Sequence, residues 1–560
     1  MSRSAHALPG PASPRLANIV AVRSAFVTAV LMLLLAVAAP CRAQAEAAPF
    51  DLLEIEVEGN SVLGAPAIEA AIEPHLGPGK GMAGVEAARS SLEAAYQKAG
   101  YLTVLVDVPE QRIAAGVVRL VVIEGRVGGL YVTGSRYHDQ GFIRGRVSEL
   151  AAGSVPDFNR VQAQLASVNR TEDRRVQPVL KPGRLPGTVD VDLQVADSLP
   201  LSGTLEMNNQ HAFGTDALRA SASLRYDNLF QLDHTLSLTL LTAPMQPEQS
   251  RVLVANYSIP EGEADNWTLS LTYSDSDVET LGGTQVLGNG TTLGLRRAIA
   301  IGRRGVTSGA LTVGADLKLL KERTVFGAGE ISTPLRYLPF QLGYNDQWSE
   351  GALRLQWNGS LTAAMKALLQ RDVACPLANG DSAPQDQFSC KRQGGDGSFL
   401  VGRFDLRASH GLDLGAGPGS VSARLGGQVA ARPLVSPEQY SIGGAETVRG
   451  YFESAASGDH ALLGSLEWRT FNLASALGPA WRDATPLLFV DAGRVWTLEP
   501  AAGQSPRLSL AGAGVGLRVA GGEAGAGSAE AAIDFAWPLR ATANTALGDV
   551  RVHARLSARF

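Results

Sequence analysis

The strongest constraint on the fold is a repeated alternation of apolar and polar residues from about residue 200 to the last residue, Phe560. It is clearest in the final segment, where one set of residues is mostly charged and the other apolar: Arg551, His553, Arg555, Ser557 and Arg559 against Val552, Ala554, Leu556, Ala558 and Phe560. A period of two indicates β-strands with one apolar face. After residue 50, no run approaches the roughly 18 apolar residues of a spanning helix. An antiparallel sheet of a soluble protein would show the same alternation, so the pattern alone leaves both structures open.

Three further observations favour a closed barrel that spans a membrane. The polar positions of the strands carry many charges, which suits a water-filled lumen, and aromatic residues lie near strand ends, as in aromatic girdles. Short connections, such as 228–231 and 261–265, alternate with long ones at 281–290, 322–334, 367–397 and 434–460. The pattern predicts about sixteen antiparallel strands within residues 199–560, with fourteen or eighteen as alternatives. The predicted strand centres are residues 205, 221, 238, 254, 270, 296, 314, 341, 357, 404, 425, 466, 491, 513, 533 and 555.

Residues 1–45 have the features of a secretory signal peptide. Arg3, Arg15 and Arg23 precede an apolar run at 25–39, and Ala43-Gln44-Ala45 fits a cleavage site. A membrane anchor is the alternative, but the apolar run is short for a bilayer. We therefore expect the chain to be exported.

Two cysteines, Cys375 and Cys390, flank a polar stretch inside the long connection 367–397. Because disulfides persist in exported proteins, we expect this pair to close the loop. The alternative is a metal or redox site, but the stretch has no Cys-x-x-Cys pair and no neighbouring pair of histidines.

The region before the barrel has a mixed pattern that occurs twice. In residues 46–125, an alternating strand precedes two amphipathic helices and two further strands, and residues 126–198 repeat this order. Glu58-Gly59-Asn60-Ser61 and Thr133-Gly134-Ser135-Arg136 follow the first strand of each unit, which supports a repeat. Taken alone, the pattern describes two small α/β domains of unknown role. The predicted fold is thus α+β repeats followed by an all-β barrel.

Four motifs then resemble a known family. The Gly100-Tyr101 turn and Val121-Val122-Ile123-Glu124-Gly125-Arg126 look like signatures of a first POTRA domain, the periplasmic module of outer-membrane transport barrels. Val448-Arg449-Gly450-Tyr451 lies in the long connection 434–460, and Phe489-Val490-Asp491-Ala492-Gly493 lies in the thirteenth predicted strand. In this order, they resemble the TpsB-type transporters of two-partner secretion, which export haemolysins and filamentous haemagglutinin.

The resemblance implies a domain organisation and a site. Residues 46–125 and 126–198 would be POTRA domains in the periplasm, and residues 199–560 would form a barrel in the outer membrane of a Gram-negative bacterium. The sixth loop, 434–460, would fold into the lumen, with Arg449 paired to Asp491. Strand parity agrees, because Leu488 and Val490 on the lipid side place Asp491 on the lumen side. Otherwise, Arg449 is a solvated loop charge and Asp491 an ordinary lumen residue.

The resemblance also implies a function and partners. The chain would be a translocation pore that secretes a large, unfolded exoprotein with an N-terminal secretion domain. Its other partners would be outer-membrane lipids and the barrel-assembly machinery that inserts it. An assembly insertase of the same superfamily and a diffusion porin or receptor are the alternatives, and two POTRA domains favour the exporter.

The sequence carries no signal for catalysis. Gly81 after Lys80 breaks the P-loop pattern, no Gly-x-Ser-x-Gly motif occurs, and the eight histidines are scattered. We therefore expect no enzyme, no catalytic residues, no cofactor and no metal. A net charge of -5 gives no basic excess, so we expect no nucleic-acid partner.

Overall fold

The structure is a computed structural model, which describes residues 50–560 except 263, 277–279, 282–283, 286–288, 305–306, 327–328, 377–380, 414, 416 and 524–526. The predicted signal peptide lies outside the described residues. The chain forms two compact units, of which one contains residues 50–127, Gly153–Phe158 and Gly183–Val189, and the other contains the rest. Within the described ranges, no helix is long and apolar enough to cross a bilayer.

The first module is a three-stranded sheet covered by two helices. Its elements are β1 (Glu54–Glu58), α1 (Ala65–Ile72), α2 (Gly81–Ala99), β2 (Val104–Asp107) and β3 (Val117–Glu124). The central strand β3 runs parallel to β1 and antiparallel to β2. Leu92, Tyr96 and Leu120 are fully buried between helices and sheet. Helix α2 ends at Gly100, whose φ of 103° is left-handed and therefore suits glycine.

The second module has the same element order. It comprises β4 (Arg126–Thr133), α3 (Gln140–Arg146), α4 (Phe158–Val168), β5 (Arg174–Pro182) and β6 (Thr188–Asp197), with β6 in the centre of the sheet. The repeated tetrapeptides form the same turn in both modules. Gly59 and Gly134 have φ values of 86° and 84°, and a Cβ on either would lie 2.4 Å from the carbonyl oxygen of Val122 or Val195, respectively. The repeated glycine is therefore required by close backbone contact.

A carboxylate from the last strand caps this turn in each module. Glu124 accepts hydrogen bonds from the N–H groups of Ser61 and Val62, and Asp197 accepts them from Arg136, Tyr137 and His138. Burial alone would raise the pKa of the Asp197 carboxyl. The backbone hydrogen bonds and the imidazole of His138 outweigh burial and hold that pKa below its ordinary value.

The rest of the chain closes into an antiparallel barrel. Its strands are β7 (Leu201–Asn208), β8 (Arg219–Leu229), β9 (His234–Thr242), β10 (Ser250–Glu261), β11 (Asp265–Ser276), β12 (Gly290–Arg304), β13 (Thr307–Phe326), β14 (Gly329–Tyr337 with Phe340–Glu350), β15 (Leu353–Ala364), β16 (Phe399–Asp413), β17 (Pro418–Ala430), β18 (His460–Arg469), β19 (Trp481–Trp496), β20 (Arg507–Glu523), β21 (Gly527–Pro538) and β22 (Arg551–Arg559). Both segments of β14 pair with β13, and β22 pairs with β7 to close the wall. The predicted sixteen-stranded barrel is confirmed, and every predicted strand centre lies inside a strand.

The two parities of the strands differ as the alternation predicts. Apolar residues on the outer parity remain between 43% and 56% exposed: Leu224, Leu238, Leu269, Leu361, Leu466 and Leu556. On the inner parity, Gln428, Asp491 and Asp534 are buried. Apolar side chains outside and polar ones inside are the arrangement that lipid contact requires.

One predicted connection is wrong. Residues 322–334 were expected to be a loop, but β13 and β14 continue their pairing from Lys318↔Tyr337 to Phe326↔Gly329. The sequence pattern does not reveal this extension, because strands beyond the lipid have no need of an apolar outer face. Their backbone hydrogen bonds suffice to pair them.

The long connections 367–397 and 434–460, which are the fifth and sixth loops at that end of the barrel, have internal structure. In the fifth, Asp372–Pro376 pairs with Ser382–Asp386, α5 (Gln387–Lys391) follows, and Cys375 is bonded to Cys390. In the sixth, Tyr440–Ile442 pairs with Ala456–Gly458. A short helix, α6 (Ala474–Leu477), lies in the next connection, at the opposite end of the barrel.

Candidate functional site

The sixth loop packs against the inner face of the barrel wall. Val448 and Tyr451 are fully buried. They belong to an apolar cluster that joins loop residues to β18, β19 and β20: Ile442, Val448, Tyr451, Ala456, Ala461, Val495 and Leu510. The tip of the loop is thus held by packing as well as by charge.

Arg449 contacts Asp491 through one edge of its guanidinium and through its backbone. Its Nε and Nη2 donate to Oδ2 and Oδ1 of Asp491 at 2.7 and 3.0 Å, and its backbone N–H donates to Oδ2 at 3.2 Å. Arg449 is 6% and Asp491 1% exposed. A planar guanidinium is suited to such a bidentate contact, whereas a lysine ammonium is not. The structure therefore brings the predicted pair together.

Two further carboxylates surround the same guanidinium. Nη1 of Arg449 lies 3.1 Å from Glu467 on β18 and 3.7 Å from Asp534 on β21. Each of these carboxylates has a second arginine, Arg469 for Glu467 and Arg518 for Asp534. The three carboxylates and three arginines balance in charge. The network, which we call the inner clasp, connects the loop tip to strands β18, β19 and β21.

The rest of the loop motif makes specific contacts. Gly450 has a φ of 98°, and its N–H donates to Nε2 of His553 on β22 at 3.1 Å. The Tyr451 hydroxyl lies 2.9 and 2.7 Å from the carbonyl oxygens of Ala511 and Arg540. The left-handed turn at Gly450 directs Arg449 and Tyr451 to different strands.

The wall motif faces the loop motif. The Phe489 ring centroid lies 3.4 Å from Cζ of Arg449, a stacked cation–π contact. A Cβ on Gly493 would lie 3.1 Å from Val448, and one on Gly512 of β20 would lie 2.0 Å from the Arg449 carbonyl oxygen. Small residues on the wall thus make room for the loop.

Sequence reasoning missed several residues of the site. Ser465 donates to Asp491 at 2.6 Å, while Asp534 and His553 contact the loop from the last two strands. All three lie on the inner parity, which was a usable signal. Ser465 pairs with Asp491 directly across β18 and β19, whereas β21 and β22 reach the loop through the register of neighbouring strands and the path of the loop over them. Alternation within one strand determines neither the register nor that path.

Arg494 is an exception to the parity of β19. It is exposed on the outer parity, two residues before the strand ends, and its Nε donates to Ser509 at 2.7 Å. A cation near the strand end can reach the polar interface, so its outward position is compatible with lipid contact.

Glu453 is another buried acidic residue of the sixth loop. Its Oε1 accepts a hydrogen bond from the N–H of Ala445 at 2.9 Å, and its own N–H donates to the His211 carbonyl oxygen at 3.1 Å. Burial, together with the charge of Glu446, raises the pKa of the Glu453 carboxyl to about 7, against the opposing effects of the Ala445 hydrogen bond and Arg551.

Comparison with known proteins identifies the family. Residues 187–519, more than half of the chain, match the family described as haemolysin secretion/activation protein ShlB/FhaC/HecB. The chain belongs to this family. Residues 50–125 match a ShlB-type POTRA domain.

Within the described residues, no group of three or more His, Cys, Asp or Glu could hold a metal ion.

Individual relatives agree with this assignment. An outer membrane transporter CdiB of Dickeya dadantii is 24% identical over 76% of this chain and 72% of its own length. The solved structure of CdiB from Escherichia coli has a TM-score of 0.64, with 19% identity, and the match covers 93% of this chain and 92% of that one. The solved structure of BamA from Haemophilus ducreyi lacking POTRA domains 1–3 has a TM-score of 0.53, with 13% identity. That match covers 91% of this chain and 100% of the BamA chain.

The family determines the location and the general role. The chain is a two-partner secretion transporter of the outer membrane of Gram-negative bacteria, with its POTRA region in the periplasm. Because β7 follows the POTRA region directly, the long connections lie on the extracellular side.

Proposed function

We propose that the chain translocates one large, unfolded partner exoprotein, which carries an N-terminal secretion domain, through its barrel. The client docks on the POTRA domains, proposed as residues 46–125 and 126–198, and enters the barrel, residues 199–560. The sixth loop occupies the lumen at rest and is displaced during export. The observation that carries this proposal is the contact between Arg449 and Asp491, which joins that loop to the wall.

The first POTRA sheet offers an edge for the client. Strand β2 is at the edge, and Leu105, which pairs with Ile123 on β3, is 59% exposed on the face away from the helices. Leu102, just before β2, is 57% exposed. An extended client segment can add to such an edge by backbone hydrogen bonds while its apolar side chains cover these residues.

The test is an exchange of the two charges. Arg449→Asp and Asp491→Arg are made singly and together, and exoprotein in the culture medium is measured against a strain that lacks the gene. Either single exchange leaves like charges in contact, so secretion should fall strongly, and the double exchange should recover part of it. Undiminished secretion by a single variant whose barrel assembles at wild-type level would refute the role of the pair.

The same deletion strain distinguishes the exporter from the alternative, an assembly insertase. The fold does not decide between them, because BamA has a fold similar to that of this chain. An exporter's loss should remove one exoprotein from the medium and leave the other outer-membrane proteins at normal levels. A general loss of outer-membrane barrels would favour the insertase instead. The exporter should need the barrel-assembly machinery and outer-membrane lipids only for its own insertion.

A further inference from the structure

The sixth loop has a further charged contact, at its extracellular end, about which the family motifs say nothing. Arg392 of the fifth loop binds Asp459, the last residue before β18, in bidentate fashion, with Nη1–Oδ1 and Nη2–Oδ2 distances of 2.5 and 2.7 Å. The Asp459 side chain is fully buried. A buried bidentate pair this close to an opening requires further partners to offset its desolvation.

Those partners come from three extracellular loops. Asp459 also accepts hydrogen bonds from the N–H groups of Leu434, at the start of the sixth loop, and Leu498, in the seventh, at 2.8 and 2.7 Å. Arg392 donates to the carbonyl oxygens of the same two residues. We call the group of Arg392, Leu434, Asp459 and Leu498 the outer clasp. It ties the two ends of the sixth loop to each other and to both neighbouring loops.

The fifth loop holds Arg392 firmly. Arg392 follows α5 directly, and Cys390 within that helix is bonded to Cys375. Phe388 of α5 is 2% exposed and belongs to an apolar cluster that includes Leu434. The disulfide and this packing reduce the freedom of the helix, so little entropy is lost when Arg392 forms its four contacts.

We propose that Arg392 is a positioning residue, which holds the sixth loop in its resting position through the outer clasp, and that the clasp opens when a client leaves. The inner clasp fixes the tip of the loop, and the outer clasp fixes its ends. This proposal rests on the proposed function, in which the sixth loop obstructs the pore.

The test measures leakage through the barrel in cells that do not make the exoprotein. Arg392→Gln and Asp459→Asn break the outer clasp. Arg432→Gln is the matched control, because its partner Asp396 is also in the fifth loop but the pair is exposed, at 57% and 31%. The probe is vancomycin, which an intact outer membrane excludes. The clasp variants should become about tenfold more sensitive than the wild type, since one partner of a buried pair is lost, while the control should not change.

Assembly is checked for each variant by the altered gel mobility of the unheated barrel. The proposal would be overturned if the clasp variants assemble and still exclude vancomycin to the same degree as the control, Arg432→Gln. If Arg392→Gln does not assemble, Arg392→Lys takes its place. It keeps the charge beside Asp459 but loses the bidentate contact, so it should leak to an intermediate degree, and wild-type exclusion by that variant would be equally decisive.

The outcome is independent of the secretion test. If secretion depends on Arg449 but the clasp variants do not leak, only the outer clasp is refuted. If the clasp variants leak but secretion is insensitive to the Arg449 and Asp491 exchanges, the role proposed for that pair is refuted instead.

Discussion

At the scale of single residues, Arg449 has more contact partners than the two sequence motifs reveal. Its guanidinium stacks on Phe489 and contacts three carboxylates, of which the motifs include only Asp491. Its planar shape matters as much as its charge, because one group serves a ring face and several hydrogen-bond acceptors together.

Arg449→Gln should therefore lower barrel stability far more than loss of an exposed cation nearby. It leaves Asp491 buried without its charge partner, at a cost of about 3–5 kcal/mol. The control, Arg469→Gln, removes a 44% exposed side chain from Glu467 and should cost less than about 1 kcal/mol. The measurement is the temperature at which the folded band disappears on gels. Equal shifts in the two variants would contradict the expectation.

Glu453 predicts a pH dependence of the sixth loop. Its pKa is raised from 4.5 to about 7, so the folded state favours the protonated acid. Its contribution to stability is largest below pH 4.5, declines as the pH rises toward 7 and stays low above it. Glu453→Gln, which mimics the neutral acid, should reduce the fall in unfolding temperature between pH 5 and pH 8. Glu446→Gln, at an exposed position in the same loop, should retain most of that fall. If the unfolding temperature of Glu453→Gln falls between pH 5 and pH 8 as much as that of the wild type, Glu453 is not the group responsible for the pH dependence.

At the scale of elements, the sequence predicts what depends on local alternation. All sixteen strand positions follow from it, and so does the inward position of Asp491. The extension of β13 and β14 at residues 322–334 was missed because strands beyond the lipid need no alternation of apolar and polar residues. The partners Asp534 and His553 were missed because their distance from Arg449 depends on the register between β20, β21 and β22 and on the path of the loop across these strands, and alternation determines neither.

Gly512 tests how tightly β20 fits the loop. A Cβ there would lie 2.0 Å from a backbone atom, the Arg449 carbonyl oxygen, which cannot yield as a side chain could. Gly512→Ala should therefore displace the loop tip, whereas Gly343→Ala, whose new Cβ on an inner wall position would be 3.6 Å from its nearest atom, should be tolerated. The measurement is cleavage of the sixth loop by protease added to intact cells. Equal resistance of both variants would show that the strand and loop adjust.

At the scale of the whole molecule, the second module, residues 126–198, is fixed to the barrel through the turn between β8 and β9. Three non-glycine residues of that turn, Phe230, Gln231 and Asp233, have φ values of 61°, 59° and 58°. Asp233 accepts two hydrogen bonds from Arg174, whose side chain is fully buried, at 2.8 and 2.9 Å. Gln231 accepts a hydrogen bond from the N–H of Asp139 at 2.9 Å. Left-handed backbone is strained for such residues, so it persists only where surrounding contacts enforce it.

Asp233→Asn should loosen this joint. Arg174 would remain buried with a neutral partner, and the strained turn would lose a charge-assisted contact. Spin labels on α4 and on β9 should then give a broader distance distribution than the narrow one expected of the wild type. Glu172→Gln is the control, because it removes an exposed contact between the same module and Arg559 of the barrel. If Asp233→Asn keeps the narrow distance distribution, the remaining hydrogen bonds to the turn are enough to hold the module against the barrel. The buried ion pair between Arg174 and Asp233 would then not be what orients the module.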